Sequence, residues 1–300
     1  GNAFTDELIF GSHEALVQGW ASYTEYPHAD SGHSLSQVAQ YGNFVQRTDS
    51  LGDDIRLRED YIRFLKAALQ LVAEQQGVSS NIRREVRAQE RELTASQMAR
   101  RFGFPSFSIP EENPLLILAA LPLPIYITTS YHDFLEVALR EKMNKEPRTE
   151  ICFWHERLYN IPSVFQDQNY EPSAQQPLVY HLHGFDAYPE SLVLTEDDHL
   201  DFLSNISKDA KAIPPRVKQA LTDSSLVLIG YHPHDWDFRV LFRGLIAPRP
   251  RSLASIAIQL EAIPGNKEYI QSYLRKADFD VVWKSPAEFI MELYEGWGGP

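Results

Sequence analysis

The sequence contains a single cysteine, Cys152, among 300 residues. One cysteine excludes a disulfide within these residues, and it excludes metal sites built from paired cysteines. No apolar run approaches the roughly 18 residues that a membrane span needs. The first residues also lack the basic start and long apolar stretch of a secretory signal. We therefore expect a cytoplasmic protein that makes no membrane contact.

Basic residues are few relative to acidic ones. Lys and Arg number 28 against 41 Asp and Glu, which gives a formal net charge of -13. This balance argues against direct nucleic-acid binding, because such binding requires many phosphate contacts from Lys and Arg. A small anionic ligand stays possible, since such ligands bind backbone N–H groups and helix N-termini. The apolar fraction of 43% is ample for a packed core.

One segment has the opposite charge bias. Residues 81–101 have helical propensity and contain six arginines against three glutamates. Two interpretations stay open, a solvated helix face and a contact with another subunit or domain. The arginines are Arg83, Arg84, Arg87, Arg91, Arg100 and Arg101.

The N-terminal part, residues 1–112, is predicted to be mainly helical. Apolar residues recur at helical spacing in three stretches, and residues 81–101 are polar but helical in propensity. A short apolar helix follows Asn113-Pro114, an N-cap with Pro at the first helical position. Gly77 is a plausible helix stop. The predicted helices are one from Phe4 to Trp20, then Leu35–Phe44, Asp54–Gln76, residues 81–101 and Leu115–Leu121.

Residues 113–300 alternate short apolar runs with helical patterns. This alternation predicts an α/β core with a parallel sheet covered by helices on both faces. We treat residues 1–300 as one domain. The predicted strands are Ile125–Thr129, Ile151–Trp154, a run from Pro177 that ends in His-Leu-His-Gly, Ser225–Gly230, Ser255–Leu260 and Phe279–Trp283.

Three turns that each follow a strand carry hydroxyls, imidazoles and carboxylates. They are residues 128–133, 181–186 and 230–237. The carboxyl ends of parallel strands meet at one edge of a sheet, so we expect the three turns to converge there. With helix N-termini beside them, such a site suits a phosphate-bearing ligand. A histidine in these turns could also be a hydrogen-bonded core residue.

These three stretches carry a family resemblance. Residues 125–139, 177–198 and 225–243 are similar to the sirtuin-like domains of bacterial immune proteins. In that family one strand ends in Thr-Thr-Asn-Tyr-Asp, a second ends in His-Gly, and a third ends in Gly followed by Asp. Here the matching residues are Thr128-Thr129-Ser130-Tyr131-His132-Asp133, His183-Gly184, and Gly230 with Asp235.

The resemblance implies a Rossmann-like sheet that binds NAD. Sirtuins that deacylate lysine need a four-cysteine zinc module, which a chain with one cysteine cannot form. The resemblance therefore points to the zinc-free branch, which hydrolyses NAD to nicotinamide and ADP-ribose. Members of that branch serve as effector domains of larger antiphage defence proteins and often assemble. The implied partners are therefore NAD, further copies of the chain, and other domains or subunits of a defence system. We also expect the chain to be part of a larger protein.

The resemblance also assigns site residues. His183 is the implied catalytic base, with Ser130 in the position of the catalytic Asn and Asp133 orienting the turn or the ribose. Asp235 would cap the helix that follows it, either beside the cofactor or in a purely structural role. The remaining residues implied to bind the cofactor are Thr128, Thr129, Tyr131, His132, Gly184, Gly230 and Tyr231.

Two departures from the family pattern favour an alternative. Ser130 replaces the Asn, and no Gly-Ala-Gly loop after an N-terminal strand is present in the sequence. The alternative is a catalytically inactive module that binds NAD or ADP-ribose derivatives, or that mediates assembly.

Two other sites are weaker hypotheses. The pairs His181/His183 and His232/His234, with Asp235, have a spacing compatible with a metal. A nucleophilic Ser130 with His183 and Asp133 is conceivable, but there is no Gly-x-Ser-x-Gly elbow.

Overall fold

The structure is a computed structural model. It describes residues 2–27, 33–46, 54–106, 113–208, 212–231, 256–260, 267–275 and 279–297. His232, His234 and Asp235 lie outside the described residues, as does the helix predicted after them.

The described part of residues 2–120 forms helices joined by turns. Their apolar faces share one core, in which Trp20 contacts Tyr61 edge-on and Phe64 at a tilt. The prediction of a mainly helical N-terminal region is confirmed. The helices are α1 (Asn2–Phe10), α2 (His13–Tyr23), α3 (Leu35–Gln46), α4 (Asp54–Gln75), α5 (Ser80–Ala88), α6 (Ala95–Phe102) and α7 (Pro114–Ala120).

Two predicted helices are each split in two. The first breaks at Gly11, which has φ +81, a left-handed conformation that Gly adopts without steric cost. Ser12 then caps α2 by accepting from the Ala15 N–H. The helix predicted over residues 81–101 breaks at residues 89–94, where Thr94 and Gln97 form a capping box that starts α6. In both cases a local capping signal overrides the continuous helical period.

Other capping signals match the structure. Gly77 ends α4 with φ +73. The Asn113 side chain accepts from the Leu115 N–H at the start of α7, with Pro114 at the first helical position.

The first sheet has three parallel strands in the order β1-β3-β2. The central strand β3 (Leu178–His181) is fully buried. At its end, His181 lies opposite Thr128 of one neighbouring strand and Ile151 of the other. The outer strands are β1 (Ile125–Thr128) and β2 (Arg148–Ile151).

The predicted strand Ile151–Trp154 is wrong in its position. β2 ends at Ile151, whereas Cys152, Phe153 and Trp154 are buried without belonging to a strand. These side chains are buried beneath other elements; the Trp154 indole N–H, for example, donates to the Ser191 carbonyl. Pairing with β3 stops at the Cys152 N–H, which donates to the His181 carbonyl at 2.9 Å, so the apolar run beyond it marks burial and not a strand.

A second parallel sheet has the order β4-β5-β6. In the described ranges no strand pairing joins it to the first sheet, so the expected single sheet is observed as two. One apolar cluster nevertheless contains residues of both, including Tyr180 of β3 and Ile258 of β5. The strands are β4 (Leu226–Leu228), β5 (Ile256–Leu260) and β6 (Phe279–Trp283).

Helices cover these sheets and connect them to the N-terminal region. Together with the parallel strands they confirm the predicted Rossmann-like α/β class. Among the described residues, no helix combines the length and the apolarity that crossing a lipid bilayer requires. The helices are α8 (Phe134–Val137), continued by a π-turn (Ala138–Lys142), α9 (Glu196–Lys208), α10 (Pro215–Asp223), α11 (Lys267–Arg275) and α12 (Pro286–Trp297).

The N-terminal helices pack directly on the α/β part. Arg58 of α4 is 1% exposed; its Nε donates to the Leu192 carbonyl at 2.8 Å, and its guanidinium pairs with Asp198. Asp198 also accepts from the backbone N–H of Thr195, whose hydroxyl accepts from the Asp198 N–H. Thr195 and Asp198 thus form a reciprocal cap at the start of α9.

Candidate functional site

The turn after β1 is closed by its own hydroxyl. The Ser130 N–H donates to Thr128 Oγ1 at 3.0 Å, which bends the chain away from the strand. Thr129 and Ser130 are 0% and 2% exposed. The turn ends at Asp133, directly before α8.

The turn after β3 depends on Gly184. Its φ is +93, and a Cβ at this position would lie 2.3 Å from the Ser191 carbonyl oxygen, so only glycine fits. The turn then meets the β1 turn, because the Asp186 N–H donates to the Tyr131 carbonyl at 2.8 Å. Residues 128–133 and 183–186 therefore form one joined structure, which we call the joined turns.

The turn after β4 is attached to the second sheet. The Gly230 N–H donates to Gln259 Oε1 on β5 at 3.0 Å. Tyr231 is buried and belongs to the apolar cluster that also contains Tyr180 and Phe202. These contacts attach Gly230 to the second sheet and place Tyr231 in the core that both sheets share.

His181 forms a buried ion pair behind the β1 turn. Its Nδ1 lies 2.8 Å from the Ser130 carbonyl oxygen, and its Nε2 lies 2.8 Å from Glu136 Oε1. A carbonyl only accepts, so Nδ1 carries a proton. Burial lowers the His181 pKa, but the Glu136 charge outweighs it and the net pKa is raised. Burial raises the Glu136 pKa, but its contacts with His181 lower it overall. Both shifts favour the imidazolium and carboxylate forms of the pair, and the bond from Nδ1 holds the backbone of Ser130.

His183 lies in a different environment. It is 0% exposed, and its ring stands edge-on to His199 at 5.1 Å and to Phe202 at 5.3 Å between centroids. Burial lowers its pKa to about 3. The imidazole is therefore neutral at physiological pH, which is the state that accepts a proton, although the low pKa makes it a weak base in this arrangement.

Helix α6 holds both halves of the joined turns. The Ser96 N–H and hydroxyl donate to Asp186 Oδ2 at 2.6 and 2.7 Å, and the Asp133 N–H donates to the same hydroxyl at 3.2 Å. One helical turn further, Arg100 Nη2 lies 3.4 Å from Asp133 Oδ2. Burial raises the Asp133 pKa to about 6, although Arg100 opposes this rise.

Helix α1 covers the β1 turn. The Thr5 and Ser130 hydroxyl oxygens are 2.6 Å apart, and Asp6 lies 3.2 Å from His132 Nε2 and 2.8 Å from His13 Nδ1. Burial raises the Asp6 pKa, but the bonds to the two histidines outweigh it and lower the pKa overall. A cavity of about 20 Å³ remains beside Asp6 and His132. It has room for about one water molecule.

Several polar atoms in this region have bonding capacity left. Within the described ranges, His132 Nδ1, Asp133 Oδ1 and Asp186 Oδ1 are buried without a hydrogen-bond partner. Buried polar atoms are normally paired, so such atoms fit a polar ligand. Carboxylate oxygens and an imidazole nitrogen suit the hydroxyls of a ribose. Over the same residues, no group of three or more His, Cys, Asp or Glu is arranged to hold a metal ion.

Sequence reasoning missed the residues that reach this region from the helical part. Ser96 and Arg100 belong to α6. The Thr94/Gln97 capping box marks in the sequence where this helix starts, but nothing in the sequence indicates that the helix packs against the two turns. Thr5 and Asp6 had no distinguishing signal. Glu136 lies three residues after Asp133 and was overlooked as an ordinary helix residue.

A comparison with models of protein families identifies the α/β part of the chain. The family model of the SIR2-like domain matches residues 124–282, more than half of the chain. The matched part contains β1 to β6 as far as Val282 and both joined turns, whereas α1 to α7 precede it. No curated protein matches the chain.

Proposed function

Because the chain belongs to the SIR2-like domain family, whose members use NAD, we propose that it binds NAD at the joined turns and hydrolyses it to nicotinamide and ADP-ribose. The hydrogen bond from the Asp186 N–H to the Tyr131 carbonyl carries this proposal. It brings the two family motifs together at the carboxyl ends of adjacent parallel strands, where α/β sheets bind ligands.

The buried atoms with unused bonding capacity supply the ribose contacts in this proposal. Asp133, Asp186 and His132 bind ribose hydroxyls, and Thr128 and Thr129 line the ribose and phosphate side. Gly184, Gly230, Tyr231 and Asp235 keep the cofactor-binding roles that the resemblance implies.

His183 is the proposed base. Loss of nicotinamide builds oxocarbenium character at the ribose, and the neutral imidazole accepts a proton from a ribose hydroxyl or from water. Entry of NAD requires α1 to move, because Thr5 and Asp6 bond Ser130 and His132. Hydration of the opened site would also relieve the burial that depresses the His183 pKa.

The second candidate function is an inactive module that binds NAD or ADP-ribose derivatives, or that mediates assembly. Two observations favour it. Ser130 stands in the Asn position with its hydroxyl bonded to Thr5, and His183 is a weak base enclosed by His199 and Phe202.

The decisive experiment measures nicotinamide and ADP-ribose after incubation with NAD. The samples are the unmodified chain, His183→Ala, Ser130→Asn, and His155→Ala as a histidine control outside the joined turns. Turnover that His183→Ala alone abolishes supports a hydrolase. Turnover only in Ser130→Asn supports a site inactivated at one position. Absence of turnover in every sample overturns NAD hydrolysis and leaves the inactive module. A NAD-dependent rise in Tm would then identify NAD binding.

We also propose that the protein is a cytoplasmic, homo-oligomeric effector in antiphage defence, linked to other domains or subunits of its system. This part rests on the motif resemblance. Cells that express the full system and the His183→Ala version are compared for phage plating efficiency. Equal protection by both overturns the proposed role of NAD hydrolysis in defence.

A further inference from the structure

A groove open to solvent lies beside α6, the helix that holds the joined turns, and extends to Leu93 just before the helix begins. It has a volume of about 390 Å³ and is lined by Leu93, Gln97, Arg100 and Arg101. This volume lies within the range of small-molecule sites, about 300–1,000 Å³. Leu93 is buried and supplies an apolar floor, while Gln97 and Arg101 are exposed.

Arg101, which lines this groove, is paired with no carboxylate among the residues that the structure describes. Arg101 donates to Gln89, a neutral amide. Arg87 and Arg91 lie two residues to either side of Gln89 in the sequence, and both are exposed. Neither forms an ion pair with any residue that the structure describes. In a chain with a formal net charge of -13, residues 81–101 carry six arginines against three glutamates, so positive charge is locally in excess.

Arg100 connects the groove to the joined turns. Its side chain is 35% exposed, and its Nη2 lies 3.4 Å from Asp133 Oδ2. That separation is longer than a good charge-assisted hydrogen bond, about 2.7–2.9 Å. A stronger anion in the groove would therefore compete for Arg100.

We propose that the α6 groove is a binding site for a phosphate-bearing small molecule, held by Arg100, Arg101 and Gln97 with its apolar part on Leu93. Guanidinium groups present a planar fork of donors that matches phosphate oxygens. The ligand draws Arg100 away from Asp133 and so acts on the β1 turn from outside it. The site is separate from the proposed NAD site and does not depend on NAD turnover.

Calorimetric titration of the full chain tests the site with three probes: pyrophosphate, ADP and adenosine. Pyrophosphate and ADP should bind, ADP more tightly because of the Leu93 floor, and adenosine should not. Arg101→Gln should weaken both phosphate probes about ten-fold or more, since charged hydrogen bonds are lost. Arg140→Gln, which removes an exposed arginine elsewhere, should leave binding unchanged.

Three results would overturn the proposal. The first is binding that Arg101→Gln leaves unchanged, which would place the probes elsewhere. The second is equal binding of adenosine. The third is an oligoglutamate peptide that displaces ADP and binds more tightly, which would make the groove a docking site for an acidic protein segment.

A separate measurement tests the link through Arg100. In a ¹³C NMR titration of the Asp133 carboxyl, saturating pyrophosphate should raise its pKa, because Arg100 is the group that lowers it. An unchanged Asp133 pKa in the saturated protein would overturn the link. Arg101→Gln at the same pyrophosphate concentration serves as the unsaturated control.

Discussion

The hydroxyl oxygens of Thr5 and Ser130 lie 2.6 Å apart in a buried contact between residues separated by 125 positions. One hydroxyl donates and the other accepts. Ser130 occupies the position that the family resemblance assigns to a catalytic Asn. The helical N-terminal region is therefore bonded to the residue on which the proposed chemistry depends.

Thr5→Val should loosen this contact without changing the shape of the side chain. The expected loss of unfolding free energy is about 1 kcal/mol, because a buried hydroxyl loses its partner. The amides of residues 129–133 should then exchange hydrogen faster, which mass spectrometry measures. Thr24→Val is the control, because it removes only the hydroxyl bonds of the α2 C-cap residue to the Trp20 and Ala21 carbonyls. Unchanged exchange at residues 129–133 would show that α1 does not hold the turn closed.

The buried pair of His181 and Glu136 should make stability depend on pH. The His181 pKa is raised above 6.5 in the folded state. The stabilisation of the folded state by protonated His181 is complete below the unfolded-state pKa of this residue. It is lost as pH rises through the folded-state pKa. Urea denaturation between about pH 6 and pH 9 should therefore show a declining free energy of unfolding.

Substitution of Glu136 tests the same pair. Glu136→Gln removes the charge that holds the proton on His181, so the alkaline decline should weaken. Glu136→Ala leaves a buried charge unpaired and should cost roughly 3–5 kcal/mol. An identical pH dependence in wild type and Glu136→Gln would refute the ion pair.

Asp133 should give a pH effect of the same direction, but in the acid range. Its pKa is 3.8 ordinarily and about 6 in the folded protein. Between these values the folded state binds a proton that the unfolded state has lost, so the free energy of unfolding should fall as pH rises through this window. Arg100→Gln should raise the Asp133 pKa further, as measured by ¹³C NMR. If the pKa fell or stayed constant in Arg100→Gln, the 3.4 Å contact would carry no electrostatic weight.

Gly184→Ala should be strongly destabilising. The new Cβ would meet the Ser191 carbonyl 2.3 Å away, in addition to the strain of a positive φ. Gly77→Ala is a matched control, because its φ is also positive but nothing lies within 4 Å. We expect about 1 kcal/mol from strain at Gly77 and a further loss of at least about 1 kcal/mol at Gly184. Equal denaturation midpoints for the two variants would mean that the β3 turn relaxes at no cost.

Local patterns predicted much of the fold. The span of β6, the helix stop at Gly77 and the N-cap at Asn113 all depend on residues close in sequence, and all are observed. The resemblance selected residues at the ends of β1 and β3, and the structure joins those two turns.

Contacts over long sequence separations could not be predicted in this way. Ser96 reaches Asp186 across 90 residues, and nothing around either residue specifies the other. The neighbouring histidines of the His-Leu-His-Gly motif likewise look equivalent in sequence. Only the packing gives His181 a carboxylate partner and encloses His183 beside Phe202.

The strand order of the first sheet has a consequence for biosynthesis. Among the strands that the structure describes, β1 and β2 pair only with β3, which follows both of them in the chain. While the ribosome has translated residues 125–151 but not residues 178–181, neither outer strand has its sheet partner. A nascent chain that stalls in this interval would expose unpaired strand edges to chaperones and to other chains.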